Sequence, residues 1–281
     1  MSGTHVGMNA ARLRFVALGL VSLVFTLPFV WMATTSFSSA KDAFEGGILP
    51  RSFHPENYAE VADRMPIGLL AINTTWITVL VVTGAVLSSS FVGYAFARLR
   101  FRFREPLFVL VLSAMMLPPQ VTMIPHFMLF RWLGWIDTAL PLTAPAFVCG
   151  SGFSAFFVFL FRQFYLTLPR ELEEAARVDG CGWIGTWWRI FLPLTLPATG
   201  TCAVFAFVWT WNDFLYPLIY LQSPEKHTLA LGLAAFRGSQ YGLSEVHILM
   251  AASLLTILPC IALFLSAQRL FLRSLGTGVK G

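Results

Sequence analysis

The sequence predicts an all-α membrane protein that crosses the bilayer several times, and three observations carry that prediction. Of its 281 residues 57% are hydrophobic and only 12% are charged, about half the charged share of an ordinary soluble domain. Mean hydropathy is +0.71. Six stretches free of Asp, Glu, Lys and Arg are each long enough, at about 1.5 Å per helical residue, to cross a hydrocarbon core about 30 Å thick. No polar stretch is long enough to make a second, soluble domain, so 1–281 reads as one transmembrane domain.

The first apolar stretch, Phe15–Thr35, follows Arg12 and Arg14. It is too long for the apolar region of a signal peptide, and no small-residue cleavage site follows it, so it is read as a retained span. The second, Ile67–Ala97, is overlong, which calls for tilt or for interfacial residues at its start. Pro106–Phe130, Thr138–Phe161, Phe191–Asn212 and Val246–Gln268 complete the set. The expected spans are therefore about 15–35, 69–97, 106–130, 138–161, 194–220 and 246–268.

Lys and Arg set the direction of insertion, because they are retained on the cytoplasmic side. Thirteen lie in the termini and the loops on one side, among them Arg98, Arg162, Arg177 and Lys280, against six on the other, Lys41, Arg51, Arg64, Arg131, Lys226 and Arg237. Both termini, 1–14 and 269–281, are expected in the cytoplasm. Gly276, Gly278 and Gly281 are expected to leave the C-terminal tail extended rather than helical. The net charge of +5 comes from short basic runs rather than from one basic face, so topology explains it and nucleic acid is not an expected partner. Cys149, Cys202 and Cys260 sit in apolar runs and Cys181 beside charged residues. Their spacing suits neither a metal nor a disulfide framework.

The segment 169–193 is the most informative. Pro169 suits a helix start, and Glu171, Glu173 and Glu174 follow where carboxylates favour the positive helix end. Gly180 is placed to leave that helix in a left-handed conformation. Trp183, Ile184, Trp187, Trp188 and Phe191 are then spaced as one apolar stripe of a second short helix, which Pro193 is expected to end. On spacing alone, the pair is either a docking knob on the cytoplasmic face or an amphipathic hairpin lying in the headgroups with its tryptophans as anchors.

Glu174-Ala175-Ala176, then Gly180, then Ile190, Leu192 and Pro193 resemble the EAA motif of the permeases of ATP-binding-cassette importers at every defined position. Other matches run through the chain: Asn57-Tyr58, Asn73-Thr74, Gly93-Tyr94-Ala95-Phe96-Ala97-Arg98, Trp211-Asn212-Asp213 and the tail Thr277–Gly281. Together they resemble the smaller, six-span permease of the maltose-type carbohydrate importers, located in the bacterial inner membrane. The tail departs from the commoner form of its motif, reading Ser-Leu-Gly-Thr-Gly-Val.

That resemblance implies a coupling helix at 169–193 that docks in a groove on an ATPase subunit. Glu174 would meet a basic residue there, and Glu173, Ala175, Ala176, Asp179, Gly180, Ile190, Leu192 and Pro193 would build the contact. It also implies a second homologous permease, two ATPase subunits holding ATP and Mg, an extracytoplasmic solute-binding protein and a carbohydrate-like solute. The chain has no Gly-x-x-x-x-Gly-Lys-Ser/Thr phosphate loop of its own, so neither ATP hydrolysis nor a bound cofactor is expected in it.

Polar groups at membrane depth complete the candidates. Asp213, beside Asn212 and Trp211, is the one carboxylate in an apolar stretch and lies about 26 Å along a helix counted from Leu196. The group either lines a pathway or gate or braces a helix irregularity near Pro217. Pro118, Pro119 and Pro125, with Gln120 and His126 among them, mark a broken span, which either borders the pathway or only shapes packing. The phenylalanines from Phe153 to Phe161 are expected to face lipid or a partner. Rival classes are an ion-coupled transporter, for which one embedded carboxylate is thin equipment, and a membrane enzyme, for which no catalytic motif is present.

Overall fold

The computed structural model describes residues 3–45, 51–239 and 245–278, and their secondary structure is helical throughout. Three helices among them are long and apolar enough to cross a membrane, Arg14–Ser36, Ile67–Arg98 and Val246–Ser266. The number rises to five if each of two sharply bent helix pairs is taken as one span. The chain divides into two compact units, Met1–Ile67 with Leu233–Leu258, and Gly68–Gly232 with Pro259–Gly281.

In the first unit, α1 (Gly3–Ser36) is exposed at every position from 14 to 31. So much apolar surface is stable only against lipid or another membrane helix. Two short helices follow, α2 (Ala40–Glu45) and α3 (Asn57–Arg64). The buried Asn57 donates both amide hydrogens, to the Ser36 and Ser38 carbonyls at 2.8 and 2.9 Å. These are carbonyls that the end of α1 cannot satisfy internally. The Tyr58 hydroxyl lies 2.8 Å from Ser36 Oγ, so the Asn57-Tyr58 pair ties off α1.

The second unit is built on α4 (Ile67–Arg98), whose Ile77, Val81, Ala85 and Tyr94 enter the main apolar core. Near its start, Asn73 donates to the carbonyls of Glu225 and His227 at 2.8 and 3.0 Å. The hydroxyl of Thr74 accepts the Leu229 N–H at 2.8 Å. Asn73-Thr74 therefore pins the 225–229 segment to α4.

The expected third span is not straight. α5 (Arg104–Ser113) runs through a short 3-10 turn to Met116, and α6 (Pro119–Trp132) leaves it at 100°. Pro118 is extended and Pro119 opens α6, where its missing N–H costs nothing. The expected fourth span is also interrupted. It enters through α7 (Leu140–Thr143) and a 3-10 turn, Ala144–Val148, passes a left-handed Cys149, and becomes regular only in α8 (Ser154–Thr167). Pro141, Pro145 and the glycines at 150 and 152 deny that lead-in a continuous helical ladder.

Phe157 and Phe161 of α8 are fully buried, contrary to the expectation that these rings face outward. They lie one helical turn apart on the side of α8 that meets Gly93 of α4. A Cβ at Gly93 would fall 2.7 Å from Phe161 Cβ and 3.1 Å from both Arg162 N and Val158 O, so the glycine is what lets the two helices approach.

The chain continues through α9 (Glu171–Val178), α10 (Trp183–Thr186), a π turn (Trp187–Phe191) and α11 (Leu192–Leu194). α12 (Leu196–Trp211) leaves at 82°. After α13 (Leu215–Tyr220) and α14 (Leu229–Gly238) comes α15 (Val246–Gly278). The tail through Gly276 and Gly278 is helical, not extended as expected. Two glycines cost about 2 kcal/mol in a helix interior, which the continuing ladder of a 33-residue helix can offset. Val279, Lys280 and Gly281 lie outside the described residues.

Candidate functional site: the knob between the fourth and fifth expected spans

The backbone of 169–194 makes two short helices joined by a sharp turn. Pro169 stands just before α9 rather than inside it, and the Arg170 carbonyl accepts the Glu173 and Glu174 N–H groups. At the other end, Cys181 N–H donates to Ala176 O at 2.8 Å and Gly180 N–H to Arg177 O at 3.0 Å. Gly180 has φ of +76°. That pattern is a Schellman ending with glycine in the left-handed position, as the sequence led us to expect.

The side chains of α9 separate into two faces. Ala176 is 1% exposed, so its small size answers to packing inside this chain. Glu173 is half-buried and pairs with Arg177 at 2.8 Å. Glu174, Ala175, Val178 and Asp179 point the other way and are exposed.

The second helix departs from expectation twice. Pro193 does not end it, since α11 runs through Leu194 and the break falls at Thr195. The π turn ahead of Pro193 already loosens the spacing of backbone partners, which accommodates a residue with no N–H. The apolar stripe is also divided. Trp187 and Phe191 are buried, whereas Trp183, Ile184 and Trp188 are each about half exposed. Ile190 and Leu192 are partly buried against the core.

The knob is rooted in the core by polar and aromatic contacts. Arg98, ending α4, donates to Tyr165 O and, at 2.6 Å, to Leu168 O, capping α8 just before the knob begins. Its guanidinium also lies 5.1 Å from the Phe191 ring centre. Trp187 Nε1 donates to Ser90 Oγ at 3.1 Å, and Ser90 Oγ lies 2.6 Å from the Tyr165 hydroxyl. Sequence reading singled out Arg98 but missed Ser90 and Tyr165, for which no local pattern gives a signal.

At the far end of α12, Asn212 Nδ2 donates to Val208 O at 2.8 Å and Asp213 Oδ1 accepts the Tyr216 N–H at 3.3 Å. Both side chains thus serve the break between α12 and α13. Asn212 is exposed, Asp213 is partly exposed, and Trp211 is buried with its ring stacked on Phe207 at 5.2 Å. Gln120 is exposed in the first turn of α6, and His126 stacks on Phe130. Among the described residues no group of three or more His, Cys, Asp or Glu side chains could hold a metal.

A cluster that sequence reading missed joins Asp137 to residues 222–226. Asp137 accepts the Gln222 and Ser223 N–H groups at 2.9 Å each, the Ser223 hydroxyl at 2.5 Å and the Lys226 ammonium at 2.8 Å. The Lys226 ammonium first, then the Ser223 and backbone donors, hold its carboxyl well below the usual carboxylate range.

A helical membrane domain whose broken spans flank a compact two-helix knob is the architecture of an importer permease. The chain belongs to the family of binding-protein-dependent transport system inner membrane components, which matches residues 89–277. It is 34% identical over 272 residues to the arabinooligosaccharides transport system permease protein AraQ of Halalkalibacterium halodurans, covering 95% of each chain. It is 31% identical over 281 residues to the melibiose/raffinose/stachyose import permease protein MelC of Bacillus subtilis, covering 98% of this chain and 100% of the other. A chain in the crystal structure of a bacterial ABC transporter involved in the import of the acidic polysaccharide alginate shares the fold. The TM-score is 0.81 at 23% identity, covering 95% of this chain and 98% of that one. Family membership makes this chain an inner-membrane transport component rather than a catalytic subunit, and it speaks for the importer over the ion-coupled and enzymatic rivals.

Proposed function

We propose that this chain is the permease subunit of an ATP-driven importer of a carbohydrate or sugar-like solute: an oligosaccharide, a sugar or a polyol phosphate. The observation that carries the reading is the division of α9 into an inner and an outer face. Ala176 and Glu173 are accounted for by contacts within the chain. Glu174 and Ala175 are exposed, so the carboxylate and the small side chain of the EAA match answer to something outside it. With the exposed Ile184 and Trp188, they suit a helix-in-groove contact with an ATPase subunit.

In this reading the chain pairs with a second, homologous permease above two ATPase subunits that hold ATP and Mg. A solute-binding protein delivers the solute from outside. The chain crosses the membrane six times in this reading, with the knob between the fourth and fifth passages and both termini in the cytoplasm. ATP closure of the ATPases draws the knobs together and opens the outer cavity. Of the polar residues on the candidate pathway, Asn212 and Gln120 are exposed and can meet solute, while Asp213 accepts the Tyr216 N–H at the α12–α13 break. The carbohydrate class rests on the relatives' cargo. Reconstituting the complete complex in liposomes with its binding protein tests it. Arabino- or raffinose-type oligosaccharides should raise ATP hydrolysis severalfold and enter the lumen. Stimulation by amino acids or peptides, with none by any sugar, would overturn the substrate class.

A further inference from the structure

The buried hydroxyl of Ser90 ties three elements together. Ser90 lies on α4, Tyr165 on α8 and Trp187 at the start of the π turn in the second knob helix. Ser90 and Tyr165 are wholly buried and Trp187 is 8% exposed. A serine hydroxyl can donate once and accept twice, so it can receive the indole N–H and share a second bond with the Tyr165 hydroxyl. Buried polar groups tolerate few other arrangements, because a shift of any one leaves the others unsatisfied. Rings reinforce the same joint: Phe91 of α4 lies edge-on to Trp187 at 5.0 Å, and Tyr94 packs on Phe191 at 5.1 Å.

The chain leaves the knob at both ends, back into α8 through Leu168 and Pro169 and, by an 82° turn at Thr195, on into α12. A bend of that kind can absorb displacement by flexing. The side-chain joint is a further link, held against α4 and α8 by packing that is discrete rather than compliant.

We propose that Trp187, Ser90 and Tyr165 are positioning residues for coupling: they lock the second knob helix, α4 and α8 into one lever. A displacement of the knob is then passed to the two long elements instead of being taken up at the Thr195 bend. The proposal rests on the knob being the ATPase contact, but it fails separately from that reading.

Distance measurement between spin labels decides it. One label is placed on the native Cys181 of the knob and the other on Ile72→Cys, exposed on α4, with the remaining cysteines replaced, in the complete complex with its ATPases. In the otherwise wild-type protein the distance should be single and the same with no nucleotide and with ATP plus vanadate. In Ser90→Ala and in Trp187→Phe, which keeps a ring against Phe91 and removes only the N–H, the distribution should broaden and shift when ATP and vanadate are added. A nucleotide-dependent distance in the wild type, or an unchanged narrow distance in both variants, would overturn the lever. Failure of the ATPases to co-purify with the wild-type chain would instead remove the knob reading beneath it.

Discussion

Asp137 and Lys226 are separated by 89 positions in sequence, yet the Lys226 ammonium is one of four donors that converge on the Asp137 carboxylate. Asp137 is itself held in the left-handed region, with φ of +59°, a conformation that Asp tolerates better than most residues. A carboxyl whose folded pKa lies below its unfolded value of about 3.9 adds stability above that pH. The contribution is lost as pH falls through the depressed folded value. At neutral pH, Asp137→Asn should keep the backbone N–H bonds to its remaining oxygen and lose the ion pair. Asp137→Ala should lose both. Thermal unfolding of the detergent-purified complex should therefore rank wild type above Asn above Ala, and equal midpoints for all three would show that the cluster contributes nothing. Glu173 and Glu174 are chemically identical neighbours, but one turns inward to Arg177 and the other outward, a difference that only the helix's orientation on the core decides.

Among the elements, two glycines make opposite demands. Gly93 sits where α4 meets α8, and an added Cβ would fall within 2.7 Å of Phe161 Cβ. Overpacking of that kind costs about 1–3 kcal/mol. A Cβ at Gly180 would meet nothing within 4 Å, but the φ of +76° there costs a residue that carries a Cβ about 1–2 kcal/mol, less for Asn. Gly93→Ala should lower the yield of assembled complex. Gly180→Asn should assemble as wild type, and Gly180→Val should assemble but retain less ATPase. Yields of complex and of bound ATPase check all three, and normal assembly of Gly93→Ala would contradict the steric account. The turn at Gly180 was legible because glycine there has one strong conformational use. The long helices α1, α4 and α15 were legible because uninterrupted apolar length has few other meanings. The 100° bend at Pro118-Pro119 left hydropathy unchanged, so only the prolines hinted at it. The burial of Phe157 and Phe161 was not legible, since a helix with rings on every side does not say which ring meets a neighbour. Ser90, Tyr165 and Asp137 act through contacts that are long-range in sequence and carry no local signature.

At the scale of the whole molecule, the two units carry surfaces that the chain cannot satisfy alone. α1 exposes an apolar helix that needs lipid or another membrane helix, and the knob exposes the carboxylates of Glu174 and Asp179 with the apolar side chains of Val178, Trp183, Ile184 and Trp188. The central claim is that Glu174 docks on an ATPase rather than lying in the headgroups. Co-purification of the ATPase subunits with Glu174→Lys, followed by hydrolysis and uptake, tests it most directly. Charges about 4 Å apart interact by about 4 kcal/mol at an effective dielectric near 20, so reversal next to a basic partner residue outweighs a modest docking energy. Glu174 is exposed, so the substitution leaves the fold and pairing with the second permease intact. The permease pair should assemble with its ATPases lost and uptake abolished, whereas full ATPase retention with wild-type uptake would make the knob a membrane-surface hairpin and nothing more.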